Sequence, residues 1–541
     1  MEKSQEQAGA TTAAAEEPSF FSPFGFAIFR WLWLAILISN IGTWMYNASA
    51  GWLMTILSGG PLMVSLVQVA ISAPMFLLAL PAGALADIVD KRWFIIVLEA
   101  LFTLTCAVFA ALIWVDWVTP AIVLLFVFLI GVLTALEAPS YQAIVPMLVP
   151  KHYLPHAIEL NSLGINISRA IGPALAGAII VVAGIAAPFW INAISNLGVI
   201  GVMLWWRQQK KPARPLPAEH LTSAMRTGVR YVRFNRHIRA TLLRNASFVF
   251  FASAYWALLP VLTKTQIKAG PEIYGLLLGT IGIGAVAGAL VMPALQKKLG
   301  TNRLVAAAQG GTAIALVMYG IADDPLMALA ASALAGLCWI SGIANLNVSA
   351  QISLPDWVRG RGLAVYVAVF YGSMTLASFV WGGLGEIVEL RNVFFVAAAC
   401  ALVAIPLTAR WQLQTAAGIN FTPSLHWPEP VFSAHMSKDA GPVMVTVEYR
   451  TSREFREEFL SEVAVLEGER RRDGAYAWGI YQDTTDECRF VEVFFVGSWL
   501  EHLRQHHRVT NADRENELRI RQRLSEPATV SHYIAAGSES N

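Results

Sequence analysis

Long apolar stretches alternate with short polar loops from near residue 26 to about residue 412. A helix needs roughly 20 mainly apolar residues to cross a bilayer core of about 30 Å. Twelve stretches meet that length, and we expect spans near residues 26–48, 62–85, 93–114, 120–138, 161–183, 186–206, 245–264, 274–296, 303–321, 325–348, 362–386 and 392–411. The pattern therefore predicts an α-helical membrane protein.

One large polar break divides the spans into six and six, which predicts helix bundles at 21–206 and 245–412. Residues 1–20 are polar, and we expect them to be disordered and to lack a cleaved signal peptide. The break at 207–244 is a basic linker with arginines at helical spacing near its end. This spacing predicts either a helix on the anionic cytoplasmic leaflet or a solvated helix that only fixes topology.

After Arg410 the chain becomes polar and charged. Residues 413–441 form a proline-containing linker, and residues 442–541 are predicted to be a soluble domain. Alternating hydrophobicity predicts strands at 443–449, 475–482, 489–496 and 528–534, with helices at 452–472 and 499–524. The order βαββαβ predicts a ferredoxin-like α+β fold.

Composition and charge narrow the function. Hydrophobic residues make up 56% of the chain and charged residues only 14%, which excludes a soluble multi-domain enzyme. One set of loops carries most of the Lys and Arg, including ten basic residues between 207 and 244, whereas the opposite set carries three. The basic side is therefore predicted to be cytoplasmic, with both termini inside.

The same observations remove several other functions. The basic linker is explained by membrane topology, so no nucleic-acid partner is predicted. The chain has no GxxxxGK[ST] loop, which argues against an ATP-driven pump. Its four cysteines are scattered, so neither a metal cluster nor a disulfide framework is indicated, and no cofactor is predicted.

The loop after span two is a candidate gate. Gly83 allows a close helix approach, and Asp87 can pair with basic groups or cap a neighbouring helix. Lys91 and Arg92 follow directly. We expect these four residues to hold one transport state closed.

Span five contains Arg169 followed by Gly172, Pro173 and Gly177. The glycines permit tight packing and the proline frees a backbone carbonyl, features that are also found in ordinary helix packing. A guanidinium at the depth of Arg169 costs several kcal/mol without a partner or water. Arg169 is therefore the best single candidate for a substrate or coupling role.

Two further polar residues lie inside spans. Asn40 lies near the middle of span one, where it could line a cavity or make an interhelical hydrogen bond. Glu99 in span three could carry a proton or form a salt bridge near the interface. Glu137, at the mouth of span four, is predicted to be structural.

The residues near 39–44, 83–92, 138–146, 160–177 and 358–362 resemble the major facilitator superfamily. The resemblance is to the subgroup of enterobactin exporters and transmembrane secretion effectors. It implies proton-coupled export of a siderophore, drug or other secondary metabolite by alternating access in a bacterial cytoplasmic membrane. Span four has no arginine and Glu386 lies at the outer edge of span eleven, so the residue that carries the proton stays open.

The tail, chiefly residues 498–510, resembles the dimeric ferredoxin-like domain of antibiotic-biosynthesis monooxygenases. A regulatory or dimerising role is preferred here to a tethered enzyme, with a homodimer contact supplied by Phe490, Phe494 and Trp499. His502 and His506 share a helical face, but no third ligand is evident and a solvated face is expected. Import instead of export stays the alternative for the membrane part.

Overall fold

The computed structural model describes residues 19–206, 221–415, 424, 426–427 and 440–536. Within these ranges, the side chains of residues 84, 86–88, 221–224 and 507 are not described. The helices of the first part are α1 Ala27–Leu57, α2 Pro61–Ile88, α3 Lys91–Trp114, α4 Pro120–Ile144, α5 Leu154–Ala183, α6 Ala187–Trp205, α7 Leu221–Phe234, α8 Arg236–Val261, α9 Pro271–Ile321, α10 Pro325–Ile352, α11 Arg359–Ile387 and α12 Leu390–Ala409.

Among the described residues, eleven helices are long and apolar enough to cross a membrane. One of them, α9, has 51 residues and would be about 75 Å long at 1.5 Å per residue, more than twice the bilayer core. Gly300 breaks it, with a φ of 72° that few other residues adopt. Helix α9 therefore contains both the eighth and the ninth predicted span, and the twelve predicted spans are confirmed.

Polar caps set several of the helix ends. The Asp90 carboxylate accepts from the backbone N–H of Trp93 at the start of α3, and Asp324 does the same for α10. Asn235 accepts from His237 and Ile238 at the start of α8, which separates α8 from α7. Each cap satisfies backbone donors that the first turn of a helix leaves unpaired.

The two halves meet along two helix pairs, α2 with α11 and α5 with the first segment of α9. Small residues form the second contact. A Cβ on Gly275 would lie 2.5 Å from the Pro173 carbonyl oxygen, and one on Gly282 would lie 2.5 Å from Ala170 Cα. Only glycine permits backbones this close, as in many membrane helix pairs. We call this contact the α5–α9 seam.

The soluble domain contains β1 Val443–Arg450, α13 Arg456–Asp473, β2 Ala477–Gln482, β3 Arg489–Val496, α14 Trp499–Arg508, α15 Asn511–Arg521 and β4 Thr529–Ile534. Its antiparallel sheet has the order β2-β3-β1-β4, as a ferredoxin-like fold requires. The predicted second helix is divided in two, because Thr510 and Asp513 form a capping box that starts α15.

The expected dimer contact in this domain is wrong. Phe490, Phe494 and Trp499 are each only 2% exposed and pack with Val443 and Phe459 in the domain's own core. Burial alternates along β3, so one face of the strand supplies this core. The three rings therefore cannot supply a contact with a second copy of the chain.

The soluble domain packs against α7. The two predictions for this basic segment were a membrane-surface helix and a solvated helix, and neither included a contact with the soluble domain. The Arg230 guanidinium donates to Glu501 Oε1 at 3.0 Å, and Arg508 donates to the same oxygen at 2.7 Å. Tyr231 is buried, with the Arg472 guanidinium 5.7 Å from its ring centre. Helix α7 thus lies between the soluble domain and α11, and the arginine-rich part of the linker makes specific contacts.

Candidate functional site

A cavity of about 540 Å³ lies between the two halves. Both halves contribute polar and aromatic side chains to it, among them Asn40, Trp44, Glu99, Arg169, Trp256, Trp339 and Tyr371. Its volume falls within the roughly 300–1,000 Å³ of small-molecule sites. A site between repeats near mid-membrane is where alternating-access transporters bind their substrates.

Contacts between the halves close the cavity at the end opposite the start of α1 and the end of α12. Lys264 Nζ donates to the Thr55 carbonyl at 2.8 Å, and Glu386 Oε1 accepts from the Leu62 N–H at 3.0 Å. Trp52 stacks on Tyr274, with ring centres 5.8 Å apart. The cavity lining extends towards the opposite end, near the end of α4 and the start of α5, where Tyr141, Gln142 and Asn161 contribute. The outer-edge acid Glu386 is therefore part of this closure.

Arg169 brings a positive charge to the cavity wall. Its guanidinium lies 5.4 Å from the centre of the Trp44 ring, and its Nε is buried without a hydrogen-bond partner. Among the described residues, no carboxylate forms an ion pair with it, and its electrostatic neighbours are the hydroxyls of Tyr255 and Tyr371. A buried cation without a counter-ion is costly, so this arrangement suits an anionic ligand.

Glu99 belongs to a cluster of acidic groups on the same wall. Tyr141 Oη donates to Glu99 Oε1 at 2.6 Å, and the Glu137 carboxyl lies beside both groups. Glu99 is 3% exposed and Glu137 is 9% exposed. No salt bridge to either acid is found in the described part of the chain, so the interface salt bridge considered for Glu99 is not formed.

Two neighbouring buried carboxyl groups disfavour a second negative charge, which makes the pair a candidate proton carrier. Glu137, predicted to be structural, lines the cavity beside Glu99. No local sequence pattern indicates this pairing, because Glu99 and Glu137 are on different helices and far apart in the chain. Tyr141, one turn after Glu137, was the only local cue.

Asn40 lines the cavity, in agreement with one of its two expected positions. Its amide has no hydrogen bond to a residue that the structure describes. The neighbouring Ser39 does, donating to Asn196 Oδ1 at 2.6 Å. The interhelical hydrogen bond is therefore made by Ser39, and Asn40 is left facing the cavity.

The predicted gate loop is only partly formed in this conformation. Arg92 donates from Nε and Nη2 to the carbonyls of Met203 and Leu204, and so caps the C-terminus of α6. The close approach expected at Gly83 is absent, since no described atom lies within 4 Å of where its Cβ would be. Lys91 begins α3, and the side chain of Asp87 lies outside the described part of the structure.

The span-five motif lies at two close contacts. A Cβ on Gly172 would be 2.6 Å from Trp44 Cβ in α1, within the first half. A Cβ on Gly177 would be 2.5 Å from the Pro271 carbonyl oxygen, across the α5–α9 seam. Pro173 lines the cavity between them. The motif therefore connects the cavity to the contact between the halves.

A second polar cluster lies in the soluble domain. His502 is 1% exposed, so the solvated histidine face expected for this helix is wrong. Burial lowers the pKa of His502 to about 3, and a hydrogen bond with Gln505, which raises the pKa, only partly offsets this effect. His506 lies beside it, and His532 of β4 completes a group of three. His532 could not be assigned from sequence, because it lies on a different element, 26 residues after His506.

These elements define the class of the protein. Two six-helix halves around a central cavity make the chain a secondary transporter of the major facilitator type, which moves a small molecule across a membrane. The family model described as transmembrane secretion effector matches residues 18–540, and the chain belongs to that family. It is a multi-pass membrane protein and a transporter, not an enzyme.

Two curated relatives each match about two thirds of the chain. The chain is 25% identical over 358 residues to the staphyloferrin A transporter of Staphylococcus aureus, covering 66% of this chain and 89% of the relative. It is 23% identical over 363 residues to the enterobactin exporter of Citrobacter koseri, covering 66% and 85%.

Solved structures agree on the fold. A bacterial homologue of the iron transporter ferroportin superposes with a TM-score of 0.54 at 16% identity, covering 71% of this chain and 98% of that one. A D-xylose–proton symporter gives 0.56 at 13% identity, covering 72% and 98%. At these identities the likeness shows the major facilitator fold alone.

Proposed function

We propose that this protein exports an anionic small molecule of the siderophore class from a bacterial cytoplasm in exchange for protons. The observation that carries this proposal is the uncompensated guanidinium of Arg169 in a central cavity lined by aromatic rings. The loop charges support an orientation with both termini in the cytoplasm of a bacterial inner membrane. The cavity, closed at the opposite end, then faces the cytoplasm.

The cavity chemistry favours a substrate with carboxylate or catecholate groups. Arginine binds such oxygens through its planar, fork-shaped set of donors. Trp44, Trp256, Trp339 and Tyr371 offer ring faces for aromatic parts of the same molecule. The amide of Asn40 supplies a further donor and acceptor. The names of the two relatives, a staphyloferrin A transporter and an enterobactin exporter, agree with this substrate class.

The carboxyl pair of Glu99 and Glu137 is proposed to carry the proton. It lines the same cavity as Arg169, so substrate charge and proton occupancy can influence each other through one low-dielectric space. The pair releases its shared proton to the cytoplasm and is reloaded when the opposite side opens. Because span four has no arginine, the sequence left the proton-carrying residue open, and this pair is our assignment for it.

Gating is proposed to involve both motifs. In the conformation described, the α5–α9 seam closes the outer end, with Gly172, Pro173 and Gly177 shaping α5. In the opposite state, Gly83, Asp87, Lys91 and Arg92 are proposed to close the cytoplasmic end. The open space around Gly83 fits a gate that is now open, because the approach that needs a glycine is not made.

The soluble domain is proposed to be an accessory unit that regulates transport or joins two copies of the chain. Edge strands β2 and β4 remain for such a homodimer, with the exposed Tyr481 and Tyr533 on them. Light scattering of the full chain, compared with a chain ending at residue 439, tests this role. A dimer that persists without the domain would contradict it.

Transport by reconstituted vesicles tests the main proposal. With the cytoplasmic face outward and an acidic lumen, proton exchange predicts uptake of a labelled catecholate or citrate-type siderophore. A protonophore should abolish that uptake. Accumulation only with the opposite pH gradient would indicate proton-coupled movement in the other direction, and would contradict export.

Arg169→Gln tests the binding site in the same vesicles. We expect at least a tenfold loss of affinity for the anionic siderophore, since a charge-assisted bidentate contact contributes about 1.5–3 kcal/mol. Arg239→Gln removes an exposed arginine from α8 outside the cavity and serves as the matched control. Equal affinities in the two variants would remove Arg169 from the site.

A further inference from the structure

The three histidines of the soluble domain come from two separate elements. His502 and His506 lie one turn apart on α14, and His532 lies on β4 at the edge of the sheet. One ring nitrogen of each lies within 4.8 Å of the others. Because the fold brings together a helix and a strand to make this group, it is more than the i, i+4 pair seen in the sequence.

The distances fit a shared ion. His502 Nε2 and His506 Nε2 are 3.3 Å apart. Two nitrogens bound to one tetrahedral zinc ion at 2.0–2.1 Å are also about 3.3–3.4 Å apart. One ring nitrogen of His532 lies within 4.8 Å of the other two, so a shift of up to about 1.5 Å in this half-buried side chain would bring it into range.

The side chain of Gln505 orients the His502 ring. Gln505 Oε1 lies 3.1 Å from His502 Nδ1, at the distance of an accepted hydrogen bond. With Nδ1 protonated, the lone pair of His502 is on Nε2, which faces His506. Metal-binding histidines almost always donate their other ring N–H in this way. The pair of contacts on His502 is therefore typical of a ligand.

The charges around the group permit a cation. The positive charge of Arg470 acts on His502, but its guanidinium is bound by Glu492 at 3.1 Å and Glu517 at 3.2 Å. Two carboxylates thus balance one arginine. The ring centre of Trp499 lies 5.4 Å from that of His502 and 5.7 Å from that of His532. The Trp499 side chain therefore shields that side of the group from water.

We propose that His502, His506 and His532 form a binding site for a divalent late transition-metal ion. Imidazole ligands suit zinc, copper, nickel and iron, and zinc prefers the tetrahedral arrangement that the 3.3 Å separation fits. Three protein ligands leave the fourth position to water or another small ligand. The ion would tie α14, which also carries the Arg230 partner Glu501, to the strand β4.

The test uses the full chain, purified without a polyhistidine tag and stripped of metal. Titration with Co²⁺, followed by visible absorption, should show one tetrahedral site per chain, and Zn²⁺ should displace the cobalt. X-ray absorption of the zinc form should show three imidazole ligands. A chain that gives no cobalt band at stoichiometric metal overturns the proposal, whether or not any variant folds.

Single substitutions locate the site. His506→Gln and His532→Gln should each weaken Zn²⁺ binding by more than the ~10–100-fold that loss of an outer-shell partner costs. Gln505→Ala, which keeps all three ligands, should weaken binding by about tenfold. His152→Gln replaces an exposed histidine far from the group and should change nothing. Equal affinity in His532→Gln and His152→Gln would overturn the assignment.

Discussion

The α5–α9 seam provides a quantitative test of the transport cycle. Adding a methyl group in Gly177→Ala would place Cβ 2.5 Å from the Pro271 carbonyl oxygen. Ordinary contact begins near ~3.5 Å, so the two backbones must separate by about 1 Å at this point. The lining atom is backbone, which cannot rotate away as a flexible side chain could.

Overpacking of this kind costs about 1–3 kcal/mol. The cost applies only to the state in which the seam is closed, so it shifts the balance between the two transport states. At 1.4 kcal/mol per factor of ten, the population ratio should move about 5- to 150-fold towards the state open at the outer end. Transport should fall accordingly, because the cycle must pass through the disfavoured state.

The assay measures the outer end directly. Spin labels at Val182, exposed at the end of α5, and Leu326, exposed at the start of α10, report the separation of the halves. In Gly177→Ala the longer distance should gain population. Gly201→Ala is the matched control, since it makes the same change in a membrane helix where no described atom lies within 4 Å of the new Cβ.

The control also cancels helix propensity, since both variants replace a helical glycine by alanine. If Gly177→Ala and Gly201→Ala give the same distance distribution and the same transport rate, the seam does not limit the outer gate. The role proposed for the span-five motif would then be wrong.

Three further predictions concern other contacts. Tyr141→Phe removes the 2.6 Å donor to Glu99, so the pH of half-maximal transport should rise by about 1 unit, with Tyr153→Phe unchanged. Arg230→Ala should lower the equilibrium constant for docking of the soluble domain about fivefold, shown by faster amide exchange in α7, whereas exposed Arg226→Ala should not. Burial raises the pKa of Glu517, but hydrogen bonding with His426 and the charge of Arg470 outweigh it and set the pKa at about 2.

That lowered pKa stabilises the folded domain above the unfolded pKa of about 4.3, and the stability is lost as the pH falls towards 2. Glu517→Gln should therefore cost about 2–3 kcal/mol at pH 7 and flatten the acid dependence of amide exchange in residues 440–536. Exposed Glu515→Gln is the control. An unchanged acid dependence in Glu517→Gln would contradict this account.

The sequence by itself determined the membrane architecture. In lipid a helix pairs its own backbone N–H and C=O groups and exposes apolar side chains whatever its neighbours are, so hydropathy alone located all twelve spans, and the polar break divided them into two halves. Strand alternation likewise predicted the soluble fold, because a half-buried sheet imposes a period of two on its own sequence. Arg169 could be singled out for a similar reason, since burying a charge is costly wherever its partners lie.

Only the tertiary structure decided which groups meet. Nothing local to Glu137 indicates that Glu99 is its neighbour, nothing near His502 indicates His532, and the basic segment gives no sign of Glu501 on another domain. The aromatic side chains Phe490 and Phe494 were misassigned because strand patterning shows that one face is buried, but not what covers it. Such pairings depend on how distant elements pack, and that information is spread over the whole chain.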